Sequence, residues 1–102
     1  MIANLSKAND KKHKYKVVIE NNGKKKTLKF GAYGYEDFTS HKDEERKKRY
    51  IKRHEGMGED WGKSGIMTKG FWSRWLLWGN SSNLNEAIKD IEKRFKITIK
   101  NV

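Results

Sequence analysis

The sequence predicts a small α+β domain in which an antiparallel sheet, made of an N-terminal β-hairpin plus a C-terminal strand, packs on two or three helices. Three observations carry this expectation. Asn22-Gly23 lies between two runs of alternating polarity, residues 84–95 place apolar side chains at helical spacing, and residues 96–102 return to alternation. With 102 residues the chain has room for one core, and a chain of this size buries about 65% of the surface its unfolded form exposes. Hydrophobic residues are only 34% of the total, but four Trp, four Tyr and four Phe each bring a large apolar area, so an aromatic-rich core is expected.

Residues 1–14 show no periodic apolar signal and close on Lys11, Lys12, His13 and Lys14. They read as a flexible basic arm ahead of a single domain over 15–102. In the hairpin, a two-residue loop at Asn22-Gly23 sets Asn21 opposite Lys24, Val17 opposite Leu28 and Tyr15 opposite Phe30. One face then carries Tyr15, Val17, Ile19, Leu28 and Phe30, and the other presents Lys16, Val18, Glu20, Lys25, Thr27 and Lys29. Glu20 and Lys25 form a complementary cross-strand pair on the second face. Lys24, Lys25 and Lys26 follow the turn in a run, either as ordinary edge-protecting residues or as phosphate contacts. Gly31 and Gly34 mark a bend, and no Gly-Lys-Ser/Thr follows them to make a nucleotide loop.

A helix is expected over 41–55, with Thr39 or Ser40 as its cap. Asp43, Glu44 and Glu45 occupy the first turn and Arg49, Lys52, Arg53 and His54 the last turns, which is the charge order the helix dipole favours; Gly56 is the stop. At a step of 100° per residue, Tyr50, Ile51, His54 and the stem of Lys47 make the docking arc. Lys42, Glu45, Arg49, Lys52 and Arg53 take the opposite side. Eight acids and seven bases between positions 36 and 60 dilute the local field, so helix and hairpin are expected to act together.

Residues 56–70 hold five glycines around Trp61 and read as a loop with an aromatic anchor. Residues 71–78, FWSRWLLW, read as a short buried helix with Phe71, Trp75 and Trp78 in one stripe. A competing reading leaves indoles exposed to stack on bases. Arg74 is either a phosphate contact or a cation–π partner of its neighbours. Leu84, Ala87, Ile88, Ile91 and Phe95 form the stripe of the next helix, capped by Ser82 or Asn83, and Ile97 and Ile99 begin a strand that would extend the hairpin to three strands.

The net charge is +11, beyond what solubility requires, which points to a polyanionic partner. Without cysteine there is no disulfide, thiolate metal site or cysteine catalysis. Histidines at 13, 41 and 54 have no metal-ligand spacing, and the acids near 43–45 are accounted for by a helix start, so neither a metal, a cofactor nor an enzyme is expected. No apolar run approaches the ~18 residues of a membrane span and no signal-peptide core is present. The expectation is a soluble, unsecreted protein with no membrane association and no small-molecule substrate.

The strings FGAYGYEDFTSHKDEERKKRYIKRHE and GFWSRWLLWG, followed by a short amphipathic helix, resemble a small uncharacterised family encoded by giant nucleocytoplasmic large DNA viruses. The resemblance covers roughly residues 30–91; the basic arm, the hairpin tip and the 56–70 loop are less typical of it. It implies a viral protein, packaged in the virion and present in the viral factory of the host cytoplasm or nucleus. No catalytic residue comes with it.

The functional expectation is non-sequence-specific DNA binding, with double-stranded DNA as the partner and genome compaction or packaging as the role. Its contacts would be Lys24, Lys25 and Lys26 at the hairpin tip, Lys42, Arg46, Arg49, Lys52 and Arg53 on the helix, and Arg74. Engagement of about five to seven phosphates would give a log K against log salt slope of about −5 to −6. The alternative is a structural virion or protein-interaction module that uses aromatic surface and binds no nucleic acid. A DNA-compacting homodimer joins the two ideas.

Overall fold

The structure, a computed structural model, describes residues 1–34, 42–79 and 83–101. Asn22-Gly23 turns the chain as its chemistry requires, with φ of 52° and 78°, both left-handed as a type I′ turn demands. Strands β2 (His13–Asn21) and β3 (Lys24–Ala32) flank it in the expected register, with Val17 opposite Leu28 and Tyr15 opposite Phe30.

Residues 1–14 are not an arm. Ile2–Lys7 form strand β1, antiparallel to β2 and parallel to the C-terminal strand β4 (Thr98–Asn101), so that β1 is an inner strand of a four-stranded mixed sheet ordered β3-β2-β1-β4. Ala3 and Leu5 are buried on the inner face while Ile2, Asn4 and Ser6 alternate with them. A tight turn makes the pairing feasible: Asp10 accepts hydrogen bonds from the Lys12 and His13 amides, both at 3.0 Å, and Lys11 takes φ 57°. The Asp10 carboxylate also meets His13 Nδ1 at 2.9 Å and Lys29 Nζ at 3.6 Å. With the inner edge of β2 taken by β1, the C-terminal strand joins β1 in parallel instead of extending the hairpin. Such a parallel pairing needs a long connection, which the helical layer supplies.

The helices lie against one face of this sheet, giving an α+β fold. Helix α1 (Glu44–Gly56) begins at Asp43, whose carboxylate accepts from Glu45 N at 3.0 Å and Arg46 N at 3.3 Å. The expected caps Thr39 and Ser40, and His41, fall outside the described residues. Glu44 and Glu45 open α1, and Arg53 and His54 close it.

Helix α2 (Lys69–Trp72) is capped by Thr68 and runs directly into a π-turn, Ser73–Leu77. This corrects the expectation of a single α-helical stripe. The Trp78 amide donates five residues back to Ser73 O at 3.0 Å, and at the end of this wider turn the Trp78 ring stacks on Tyr50 of α1. Helix α3 (Leu84–Phe95), capped by Asn83, buries Ala87, Ile88, Ile91 and Phe95 as its period predicts; Ser82 lies outside the described residues.

One core results, with Leu5, Val17, Ile19, Leu28 and Phe30 from the sheet meeting Phe71, Trp72, Leu76, Ile91 and Phe95. The indoles are held inside this arrangement. Trp72 is fully buried with Nε1 donating to Ile66 O at 2.8 Å, half-buried Trp75 donates to Trp61 O at 2.8 Å, and Trp61 donates to Glu59 at 3.1 Å.

Candidate nucleic-acid interface

Starting at Arg46, steps of three and four along α1 reach Arg49, Tyr50, Arg53 and His54, one continuous stripe. Tyr50 is the buried member of α1. Its ring is sandwiched between His54, at 4.2 Å between centroids, and Trp78, at 4.5 Å and only 5° from coplanar. That sandwich sets the roll of the helix. With Tyr50 turned inward, Arg46, Arg49 and Arg53 face the end of the sheet where β3 finishes. There they meet Lys14 and the Gly31-Ala32 backbone around a cleft of about 450 Å³, whose far wall contains Ser73, Leu77 and Trp78.

The π-turn is what completes this wall. It carries Ser73 at its start and delivers Trp78 to Tyr50 at its end. Gly31 is needed on the opposite side: it sits at φ 77°, and a Cβ there would come within 2.8 Å of Leu77 Cδ1 and 3.3 Å of Lys14 Cβ.

The cleft is cationic. Lys14, Arg46, Arg49 and Arg53 line it, and no carboxylate stands among the described residues of its wall. Arg49 and Arg53 are exposed, and no described carboxylate forms an ion pair with either. Glu59 is occupied behind the ring stack, where its two oxygens meet His54 Nδ1 at 3.0 Å and Trp61 Nε1 at 3.1 Å. Burial, and then the Glu59 charge, push the Tyr50 hydroxyl well above its ordinary pKa, so it remains a neutral donor. Tyr50 Oη lies near enough to Ser73 to be influenced by its hydroxyl, yet by distance and angle it makes no hydrogen bond among the described residues.

The residues expected from sequence fall into separate places. Arg46, Arg49 and Arg53 are brought together in the cleft. Lys24, Lys25 and Lys26 are exposed at the far end of the β2–β3 ladder, roughly 17–23 Å along the strand from Gly31 at ~3.3 Å per residue. Lys25 is engaged there with Glu20 at 3.4 Å, the cross-strand pair the register predicts. Lys42 and Lys52 are exposed but do not line the cleft. Arg74 is half-buried among aromatics: its guanidinium lies 4.4 Å from the Trp75 ring centroid and 5.2 Å from that of Trp61, and it donates to Trp78 O at 2.7 Å. Of its two readings, this is the geometry of the cation–π partner.

Sequence reasoning placed Arg49 and Arg53 on a face pointing away from the body, and it assigned Lys14 to an arm. A signal for Lys14 was present. Tyr15 pairs with Phe30 and His13 with Ala32, so carrying the hairpin register one residue beyond Tyr15 sets Lys14 beside Gly31. The Trp78 contact had no such signal, because helical spacing places Trp78 with Trp75.

Among the described residues, no group of three or more His, Asp or Glu side chains is arranged to hold a metal ion, and no helix is long and apolar enough to cross a membrane. Residues 3–54 match the model of a family described as a family of unknown function (DUF5754). The matched span takes in β1, the hairpin and most of α1, hence every cation of the cleft, and ends before the π-turn. No curated protein and no solved structure matches the chain.

Proposed function

The chain belongs to that family of unknown function, and from its own geometry we propose that it binds nucleic acid without sequence specificity, through phosphate contacts centred on the cleft between α1 and the end of the sheet. The observation that carries the reading is the convergence of Lys14, Arg46, Arg49 and Arg53 from two segments of the chain on one cleft, with Arg49 and Arg53 exposed at its rim. Three of these are arginines, whose planar fork suits phosphate oxygens. They sit on a helix whose roll is fixed by stacked rings, so part of the ordering cost is met before a ligand arrives. Contacts of these cations to phosphates would position a duplex without reading its sequence.

Double-stranded DNA is the proposed partner, and genome packaging in a large DNA virus is the setting the sequence resemblance suggests. The alternative, an interaction module built on exposed indoles, has less support, since Trp61, Trp72 and Trp75 spend their N–H groups inside the fold.

A fluorescence-anisotropy titration of a short duplex across a salt series tests the proposal. Four cleft cations correspond to a log K against log salt slope of about −3 to −4, shallower than the sum of helix and hairpin lysines would give. A slope near zero, or no binding at low salt, overturns it.

A further inference from the structure

Besides its cations, the cleft has depth, and this distinguishes it from a flat basic surface. Its volume of about 450 Å³ is within the range of small-ligand sites, and a duplex, a convex cylinder, can meet its cations from the rim without filling its depth. The rim is formed by exposed Arg49 and Arg53. Further in, the donors change in kind: half-buried Lys14 and Ser73, and Tyr50, only 7% exposed, whose hydroxyl has no hydrogen-bond partner among the described residues. A buried donor left unmatched is costly unless a partner reaches it.

We propose that this cleft seats a terminal phosphate, the monoester group at the end of a nucleic-acid strand or on a nucleotide. The inference rests on the nucleic-acid reading above and names the group that enters the site. An internal phosphodiester carries one negative charge and is flanked by sugars on both sides, so it meets the cations without bringing an oxygen down to the Tyr50 and Ser73 hydroxyls. A terminal monoester is attached on one side, carries a charge of about −1.5 to −2 near neutral pH and offers three acceptor oxygens. It can therefore enter, placing its oxygens within reach of the Tyr50 and Ser73 hydroxyls while the four surrounding cations balance its concentrated charge.

The test compares one short single-stranded oligonucleotide in two forms, with a 5′-phosphate and with a 5′-hydroxyl, at near-physiological salt. The phosphorylated form is expected to bind about tenfold or more tightly. Arg49→Ala combined with Arg53→Ala should weaken both forms about tenfold or more with an unchanged thermal melt, because both side chains are exposed at the rim that either form must pass. Tyr50→Phe keeps the stacked ring and removes only the hydroxyl; it should lower the ratio several-fold.

Equal affinity for the two forms, with salt-sensitive binding retained, overturns the terminal-phosphate seat and leaves the general phosphate-binding reading standing. Absence of binding to either form or to duplex at low salt overturns both. Competition with adenosine monophosphate separates the sources: displacement of the phosphorylated strand assigns the seat to free nucleotides as well, and an undisturbed preference assigns it to strand ends.

Discussion

At the tip of the β2–β3 hairpin three lysines in a row stand on an exposed turn, and one of them, Lys25, is paired with Glu20. At the opposite end of the same ladder, Lys14 faces three arginines carried by α1, whose orientation is set by the His54–Tyr50–Trp78 stack. Both ends are basic, and a count of charges ranks them alike. The difference lies in convergence and backing. The tip lysines share a short stretch of chain and have no aromatic support among the described residues, so Lys24 and Lys26 keep their solvation and Lys25 is held only by its exposed pair with Glu20. The cleft cations come from two distant segments, converge on one concavity, and stand on a packed aromatic base. Charge density along the sequence is a poor guide to an interface; what matters is whether the fold turns charges from different segments towards one place.

The comparison can be broken at its foundation first. Trp75→Ala removes a ring packed against Phe95 at 5.5 Å and crossed by Arg74 and Arg94 at 4.4 and 4.7 Å. It should cost about 3 kcal/mol in a thermal or denaturant melt, the low end for truncating an aromatic side chain. A change below about 0.5 kcal/mol would mean that the ring is not part of the base and that the cleft lacks a firm mounting.

Next in size is the contrast between the two basic ends. The triple replacement of Arg46, Arg49 and Arg53 by Ala should weaken duplex binding on the order of 100-fold and flatten the salt slope by about 3. The same treatment of Lys24, Lys25 and Lys26 should weaken it by less than about 3-fold, as expected of exposed and partly paired lysines. If the hairpin variant loses as much as the helix variant, the interface includes both ends and the distinction between them fails.

Gly31→Ala sharpens the geometry of the wall. The new Cβ would sit at φ 77° and 2.8 Å from Leu77 Cδ1, and a destabilisation of about 1–2 kcal/mol is expected from the left-handed backbone alone. Gly34→Ala is the control, since it also has positive φ, 86°, but nothing within 4 Å of the added carbon. The difference between the two melts reports the close approach of Leu77 and Lys14, and equal melts would exclude any steric role.

The smallest effect concerns Asp10, which ties the β1–β2 turn to β3. The His13 ring first, and the Lys12 amide second, hold its carboxyl well below the usual range. A carboxylate depressed in the folded state stabilises above its unfolded pKa of about 4 and loses that contribution as pH falls through the folded value. Asp10→Asn should therefore lower the melting temperature slightly at neutral pH and flatten the acid limb below about pH 4, so that the two proteins converge as the wild-type carboxylate takes up its proton. Because Asp10 is solvent-accessible, screening keeps the effect small. An acid limb identical in the two proteins would show that the turn carries no such linkage.

Much of the scaffold was legible because it depends on chemistry acting within a few residues. Asn22-Gly23 favours left-handed φ and so specified a turn and a register; the acid-to-base order of α1 and the three-four spacing of α3 specified helices. Strand β1 was not legible because its inward positions offer only Ala3 and Leu5, too few to register as an alternating pattern, and because Lys11, Lys12 and Lys14 lend its flank the composition of a tail. The π-turn escaped because a one-residue widening leaves composition untouched and changes only the direction in which the next side chain, that of Trp78, leaves the helix.

By itself, then, the sequence determined the hairpin, the helix polarity, the aromatic core and the excess of positive charge, all properties of neighbouring residues. Tertiary structure alone decided that β1 lies inside the sheet, that Tyr50 docks on Trp78, and that Lys14 stands across a cleft from Arg49 and Arg53. The physical reason is that these depend on which surfaces fit together across tens of residues, and side-chain packing against distant partners selects among arrangements that local preferences leave equal.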